Sequence, residues 1–250
     1  MNALTKESSN NLLQGTPCLE DNTKKETRIH MSKTEVIESN ATNALAVSAL
    51  PDTIEASDID IPRVNVVQKT SDFTCRDGED APLGALVLDK TFILAEPEEN
   101  ILVTPVNAVK YWTEDIPYDN DKDIPRVVGT IEEKNQLKLN SKFPIMEFAE
   151  ITFLFEGNDD VEAFPLPLGK KNYAIGKLRV QKDAYRQVFK RLTTFGLYNK
   201  KTPVHKRLWN LKSTLLTRGK YSWYCPLLAI TKDLEPSEEV ESFVEGYLLP

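Results

Sequence analysis

The sequence is poor in the residues that catalysis and metal binding commonly use. Its 250 residues include only two histidines, three cysteines and ten glycines. His30 lies in a polar stretch and His205 among lysines and arginines, and neither has a metal ligand or base partner at a recognisable spacing. No GxxxxGK[ST] or GxGxxG sequence is present to hold a nucleotide phosphate. We therefore expect a protein that is not an enzyme and that uses no metal or cofactor.

Long apolar runs are also missing. A membrane helix needs roughly 18 to 20 consecutive apolar residues, and runs such as Leu86–Leu88 are soon interrupted by charge. The first 26 residues contain no apolar segment typical of a secretory signal. Cys18, Cys75 and Cys225 are odd in number and widely separated, which fits neither a disulfide framework nor a CxxC metal site. These absences predict an intracellular protein with free thiols and no membrane partner.

Positive charge is concentrated in one segment of an acidic chain. The formal net charge is −7 at pH 7, yet residues 170–220 contain fifteen lysines and arginines and a single acidic residue, Asp183. That segment carries +14 and the remainder of the chain carries −21. Such separation costs self-repulsion unless a polyanion relieves it. A nucleic acid is the partner that this pattern favours.

Aromatic residues accompany the cations. Tyr185 and Phe195 lie on the apolar stripe of a predicted helix and are expected in the core, whereas Trp209, Tyr221 and Trp223 lie on predicted strands that carry or adjoin cations. Cations along a backbone, with flat rings on which unpaired bases stack, meet the requirements of single-strand binding. The predicted contact residues are Lys170, Lys171, Lys177, Arg179, Lys206, Arg207, Trp209, Lys212, Arg218, Lys220, Tyr221 and Trp223.

The chain divides by composition into a tail and a domain. Residues 1–57 are rich in Ser, Thr, Asn, Glu and Lys, and their apolar residues establish no sustained period. Such a segment buries too little surface to offset its chain entropy, which predicts a disordered tail. Residues 58–250 are predicted to form a single β-rich nucleic-acid-binding domain that ends in an acidic amphipathic helix.

Strands dominate the prediction for this domain. An entry strand is expected around residues 59–67. Three hairpins are predicted, joining 84–95 to 101–112, 148–155 to 161–168, and 206–217 to 221–231, with a short strand at 127–131. Apolar spacing predicts a central helix over 184–195 that ends at Gly196, and a C-terminal helix that begins near Pro236. The fold class is all-β to α+β, with a barrel-like or curved sheet and an oligonucleotide-binding (OB) barrel as the specific expectation.

Several short motifs resemble a group of bacteriophage proteins that are encoded among replication and recombination genes. They are Asp60–Val64, Val109–Trp112, Pro125–Val127, Phe164–Leu168 and Tyr224–Leu227. The resemblance spans residues 58–248. It implies an OB barrel and a single-stranded-DNA-binding accessory protein of phage or prophage replication or recombination, located in the cytoplasm of a bacterial host.

Alternatives to this interpretation stay open. RNA could replace DNA, and an oligomer is compatible with the sequence. The charged surfaces could also meet across subunits in a virion or structural assembly, or bind a host protein as an adaptor. The glutamates of the C-terminal helix could dock on a replication or recombination protein, compete with nucleic acid for the basic groove, or pack on their own domain: Glu235, Glu238, Glu239, Glu241 and Glu245.

Overall fold

Strands form one curled sheet in the part of the chain that the structure describes. The computed structural model describes residues 60–71, 80–117, 119–120, 122–157, 160–232 and 234–248, so the predicted tail of residues 1–57 lies outside them. The strands are β1 (Arg63–Val66), β2 (Leu86–Leu88), β3 (Phe92–Ala95), β4 (Ile101–Glu114), β5 (Val127–Val128), β6 (Ile145–Glu156), β7 (Leu166–Leu168), β8 (Lys171–Gln181), β9 (Trp209–Arg218) and β10 (Tyr221–Ile230).

The sheet follows the order β10-β9-β4-β6-β8-β1-β2-β3, with β5 beside β4 and β7 beside β8. The β1–β8 pair is parallel, and the other pairs are antiparallel. Alternate residues of the long strands point to one face, where Phe153, Phe155 and Leu211 are fully buried in the main core. The expected fold class is confirmed at this level, because the sheet is curved like a half-barrel and the helices are few.

The helices are short and mostly cover the open sides of the sheet. They are α1 (Ile131–Asn140), α2 (Lys182–Ala184), a π-helical turn (Tyr185–Phe189), α3 (Lys190–Tyr198), a 3-10 turn (Val204–Lys206) and α4 (Glu238–Leu248). Residues 182–198 are continuously helical, and Tyr185, Val188 and Leu192 bury the predicted apolar stripe in the main core. None of the described helices is both long enough and apolar enough to cross a membrane.

A side chain joins β10 to the residues that follow β1. The Gln68 amide donates from Nε2 to the Tyr224 carbonyl at 2.7 Å, and its Oε1 accepts from the Tyr224 N–H at 3.0 Å. Beside it, Gly84 has a φ of +94°, and a Cβ there would lie 2.5 Å from the Tyr224 ring. Among the described residues, no backbone-to-backbone hydrogen bond joins β10 to β1. At this seam between β10 and β1, the Gln68 side chain therefore makes the hydrogen bonds that a paired strand would otherwise make.

Two of the three predicted hairpins are wrong. Residues 84–95 form a hairpin of their own, β2–β3, because Asp89 and Lys90 both adopt positive φ, 48° and 62°, as a two-residue type I′ turn requires. β4 pairs instead with β6 and β9. Likewise, β6 pairs with β8, and the stretch 161–168 contributes only the short strand β7 at the start of β8.

The third predicted hairpin is confirmed. β9 and β10 pair in unbroken antiparallel register from Tyr221↔Arg218 to Ile230↔Trp209. Gly219, with a φ of 61°, occupies the first central position of the turn, where a type II′ turn needs glycine. This hairpin carries much of the predicted binding surface.

One helix, α1, was not predicted, and one helix boundary differs from the prediction. The expected strand at 127–131 ends at Val128, and α1 begins after it. The signal was in the sequence, because Thr130 and Glu133 form a reciprocal capping box at the start of α1. Gly196 does not end the central helix, which continues to Tyr198, where the Asn199 side chain donates to the Phe195 carbonyl at 3.0 Å.

Glu114, the last residue of β4, carries a buried carboxylate. It accepts a fork of hydrogen bonds from the Arg126 guanidinium, at 3.1 and 2.7 Å, and a further one from the Ser141 hydroxyl. Its side chain is only 5% exposed. The hydrogen bonds from Arg126 and Ser141 lower the pKa of Glu114 from 4.5 to about 2.

This shift predicts an acid-dependent contribution to stability. Because the folded pKa is depressed, the stabilisation is present above pH 4.5 and is lost as the pH falls toward about 2. At neutral pH, Glu114→Gln should lower the free energy of unfolding by about 1–3 kcal/mol, and the difference from wild type should shrink in acid. Urea unfolding at several pH values measures it, with exposed Glu132→Gln as control. A difference that stays constant down to pH 2 would contradict the assignment.

Candidate nucleic-acid interface

The first cleft lies in the gap of the curled sheet, between β8 and β10. β1 pairs with β8 only at Lys177 and Leu178. After Leu178, the edge of β8 that faces away from β6 has no strand partner among the described residues. A cleft of about 660 Å³ fills this gap. The polar and aromatic side chains that line it include Arg63, Gln68, Glu150, Lys177, Arg179, Lys182, Asp183, Trp223 and Tyr224.

Three cations of the first cleft are available to an anion, and the fourth, Lys182, lies 3.2 Å from the Asp115 carboxylate. Among the described residues, no carboxylate lies within 4.0 Å of the charged groups of Arg63, Lys177 or Arg179. The Arg179 guanidinium lies 3.9 Å from the centroid of the buried Phe148 ring, which holds it by a cation–π contact. This cation is therefore held in place before any ligand arrives.

The thiol in the first cleft is protonated at neutral pH. Cys225 lines this cleft, and burial raises the pKa of the Cys225 thiol to about 11, so the thiol is neutral at pH 7. No cluster of three or more His, Cys, Asp or Glu residues in the described ranges is arranged to hold a metal ion. The cations of the first cleft can bind an anion beside the half-buried Trp223 ring.

A second cleft of about 630 Å³ begins at Lys182 and Asp183, which also line the first. Its cationic side chains are Lys134, Lys182, Arg186, Lys190 and Arg218; its rings are Trp112 and Tyr185; and its carboxylates are Glu147 and Asp183. The Asp183 carboxylate accepts from Arg186 and lies 3.8 Å from Arg218. It therefore holds two of the cations at the boundary between the clefts.

The backbone at this boundary is strained. Lys182 adopts a φ of +53°, a left-handed conformation that costs a residue other than glycine roughly 1–2 kcal/mol. The π-helical turn Tyr185–Phe189 begins three residues later. Strained residues and π-helical turns are both frequent at functional sites. Both features lie where the two clefts meet.

The structure brings four of the twelve predicted contact residues into the two clefts. Lys177, Arg179 and Trp223 line the first cleft, and Arg218 lines the second. Lys220 and Tyr221 lie at the tip of the β9–β10 hairpin, where the Tyr221 side chain is 65% exposed and the Lys220 Nζ is 5.3 Å from the ring centroid. These two residues and the other six line neither cleft.

Trp209, which was predicted to stack on a base, is a core residue. It is 2% exposed, its ring meets Phe195 edge-on at 5.3 Å between centroids, and its Nε1–H donates to the Val204 carbonyl at 3.1 Å. Trp209, Leu211 and Ser213 alternate along β9 and all point inward. A strand position beside cations did not reveal which face would be covered, so the predicted stacking role is wrong.

Two predicted cations are held by the C-terminal helix region. The Lys206 ammonium lies 3.2 Å from Glu241 and 3.1 Å from Glu245, and the Arg207 guanidinium lies 2.9 Å from Glu235. Hydrogen bonds to Glu245 and Glu241 raise the pKa of Lys206. The apolar side of α4 is buried in a second core cluster. Of the alternatives for this helix, the structure has it packed on its own domain.

The other three predicted cations also lie outside the clefts. The Lys171 ammonium pairs with Glu156, and the Lys212 ammonium lies 2.8 Å from Glu98. The hydrogen bond from Lys212 is the main reason that the pKa of Glu98 falls to about 2. Lys170 is exposed in the turn between β7 and β8. These contacts use acidic groups of the same domain to balance part of the basic segment.

Comparisons of this chain with protein-family models, with curated proteins and with solved structures found no match.

Some residues of the clefts were absent from the predicted set. Lys182, Arg186 and Lys190 recur every four residues along one helix face, so their spacing could have placed them together. Arg63, Lys134 and Trp112 carried no such signal, since they lie at least 48 residues before Lys182 and reach the clefts only through folding.

Proposed function

We propose that this protein binds single-stranded DNA, without catalysing a reaction on it, in the first cleft. One observation supports the proposal. Arg63, Lys177 and Arg179, which have no carboxylate partner among the described residues, line the same cleft as the half-buried Trp223 ring. The cations would hold phosphates, and the ring would stack a base.

The position of the ring favours a single strand over a duplex. Trp223 lies inside a cleft between two parts of one sheet, where only an unpaired base could reach its face. The bases of a duplex are stacked on one another and expose only their edges. We propose that the curled sheet serves as OB-like barrels do, with the strand crossing its open side.

The biological setting is proposed from the resemblance to phage proteins. It is that of an accessory protein of phage or prophage DNA replication or recombination in the bacterial cytoplasm. The exposed Glu238 and Glu239 at the start of α4 would then provide a docking surface for a replication or recombination protein.

The pairing of charges within the domain favours this proposal over an assembly role. An assembly held by complementary charges needs its basic and acidic surfaces to meet across subunits. Here Lys171, Lys206, Arg207 and Lys212 meet carboxylates of their own domain. Arg63, Lys177 and Arg179 of the first cleft have no such partner among the described residues, so they stay available to an external polyanion.

Fluorescence titration with an oligothymidylate at several salt concentrations tests the proposal. We expect quenching with micromolar or tighter affinity. Single-strand binding releases roughly 0.7 counterion per phosphate contact, so three cations predict a log–log salt slope of about −2 or steeper. An oligouridylate of equal length separates DNA from RNA, and a matched duplex separates one strand from two. Absence of quenching at low salt, or equal affinity for the duplex, would end the proposal.

A further inference from the structure

The second cleft is a basic, aromatic-lined surface that the proposed function does not yet use. The carboxylates in it are occupied: Glu147 pairs with Lys110, and Asp183 with Arg186. The ammonium groups of Lys134 and Lys190 make no ion pair with the residues that the structure describes. They lie over aromatic rings instead, Lys134 at 5.5 Å from the centroid of Trp112 and Lys190 at 5.9 Å from that of Tyr185.

We infer that the second cleft is a second DNA subsite, which receives the continuation of the strand held in the first. In this arrangement Trp112 stacks a base, and Lys134 and Lys190 move from the rings to the phosphates. The inference rests on the proposed function, because the same strand occupies both clefts.

The route between the clefts is defined by residues that they share or that border them. Lys182 lines both clefts, and its side chain is 64% exposed although its ammonium lies 3.2 Å from the Asp115 carboxylate. On the opposite side is the β9–β10 hairpin, which places Trp223 in the first cleft and Arg218 in the second. Tyr221 is the cross-strand partner of Arg218 and, two residues before Trp223, shares its strand face.

This order gives the strand a sequence of stacking platforms. Trp223 is in the first cleft, the exposed Tyr221 is at the crossing, and Trp112 is in the second cleft. Between them lie cations that reach the solvent, which is what a phosphate backbone requires. A protein partner with an acidic surface would use the same cations but has no need of three separated rings.

The experiment compares affinity across oligothymidylates of increasing length for three forms of the full chain. They are the wild type, a second-cleft variant (Lys134→Gln with Lys190→Gln) and a first-cleft variant (Lys177→Gln with Arg179→Gln). None of these four side chains makes an ion pair in the described structure, so both variants should fold, which urea unfolding checks.

We expect wild-type affinity to rise with length until both clefts are filled. The second-cleft variant should lose about 30-fold in affinity for long oligonucleotides, as for two exposed charge contacts, yet bind the shortest ones as wild type does. The first-cleft variant should be weaker at every length. Long bromodeoxyuridine oligonucleotides should photocrosslink to Trp112 or Tyr221, and the shortest should not.

Three results would overturn the inference. If the wild type binds DNA and the second-cleft variant matches it at every length, the second cleft carries no strand, while the proposed function stands. If the crosslinks avoid Trp112 and Tyr221, the route is wrong. If the wild type binds no oligonucleotide of any length, the proposed function fails as well.

Discussion

Replacing Lys177 and Arg179 by glutamate should lower the affinity for an oligothymidylate by about 1,000-fold at low salt. Each exposed charge contact is worth about 1 kcal/mol. Two attractions lost and two repulsions gained amount to roughly 4 kcal/mol, or nearly three decades in Kd. The new carboxylates would also face Glu150 and Asp183 across the first cleft. Fluorescence titration or filter binding at several salt concentrations measures the loss.

The matched control for this double reversal is Lys200→Glu with Lys201→Glu. Both lysines are exposed in the loop after α3, and neither lines a cleft. The control changes the net charge of the chain by the same amount, so it removes the same long-range attraction. We expect it to weaken binding only a few-fold. Equal losses from the two double variants would mean that DNA responds to the overall charge of the segment and not to the first cleft.

Trp209→Ala should destabilise the fold by about 3–5 kcal/mol, as truncation of a buried tryptophan typically does. The substitution leaves a cavity beside Phe195 and removes the donor to the Val204 carbonyl. Trp223→Ala should cost the fold much less, because the ring is only half-buried. It should instead weaken DNA binding by about 1–3 kcal/mol, the value of one stacked base.

Each tryptophan variant serves as the control for the other, because one should change stability and the other affinity. Urea unfolding and oligonucleotide titration are measured on both, with titration at a temperature where each is folded. The expected pattern is crossed: Trp209→Ala changes stability and spares affinity, and Trp223→Ala does the reverse. Trp209→Phe, which keeps most of the ring volume, should recover part of the lost stability. Affinity that falls with Trp209→Ala in the folded protein would place that ring back in the binding surface.

Two local patterns in the sequence predicted local structure correctly. The β9–β10 hairpin and the helical period through Phe195 both depend on contacts between residues close in the chain, and both are present. Pairings across longer distances were predicted less well. β6 finds its partner in β8, past the 161–168 stretch, because side-chain alternation tells which residues can form strands and not which strands meet.

In the candidate site, too, the sequence predicted some residues, while others depend on contacts between distant parts of the chain. Lys177, Arg179 and Trp223 come from the segment that the charge pattern singled out, and they meet in the first cleft. Charge alone could not distinguish them from Lys206 or Lys212, since the partners of those lysines lie far along the chain, at Glu241 and Glu98. The burial of Trp209 likewise depends on the helix and turn that cover β9.

The seam at Gln68 has a consequence for how the gap can open. A strand leaves a sheet only when a whole row of hydrogen bonds breaks, whereas the Gln68 amide can release Tyr224 by rotating about its own side-chain bonds. Two such bonds are worth about 1–3 kcal/mol, which is less than the cost of breaking a row of backbone hydrogen bonds. An incoming base would then have to displace one flexible side chain, while every strand pair stays intact.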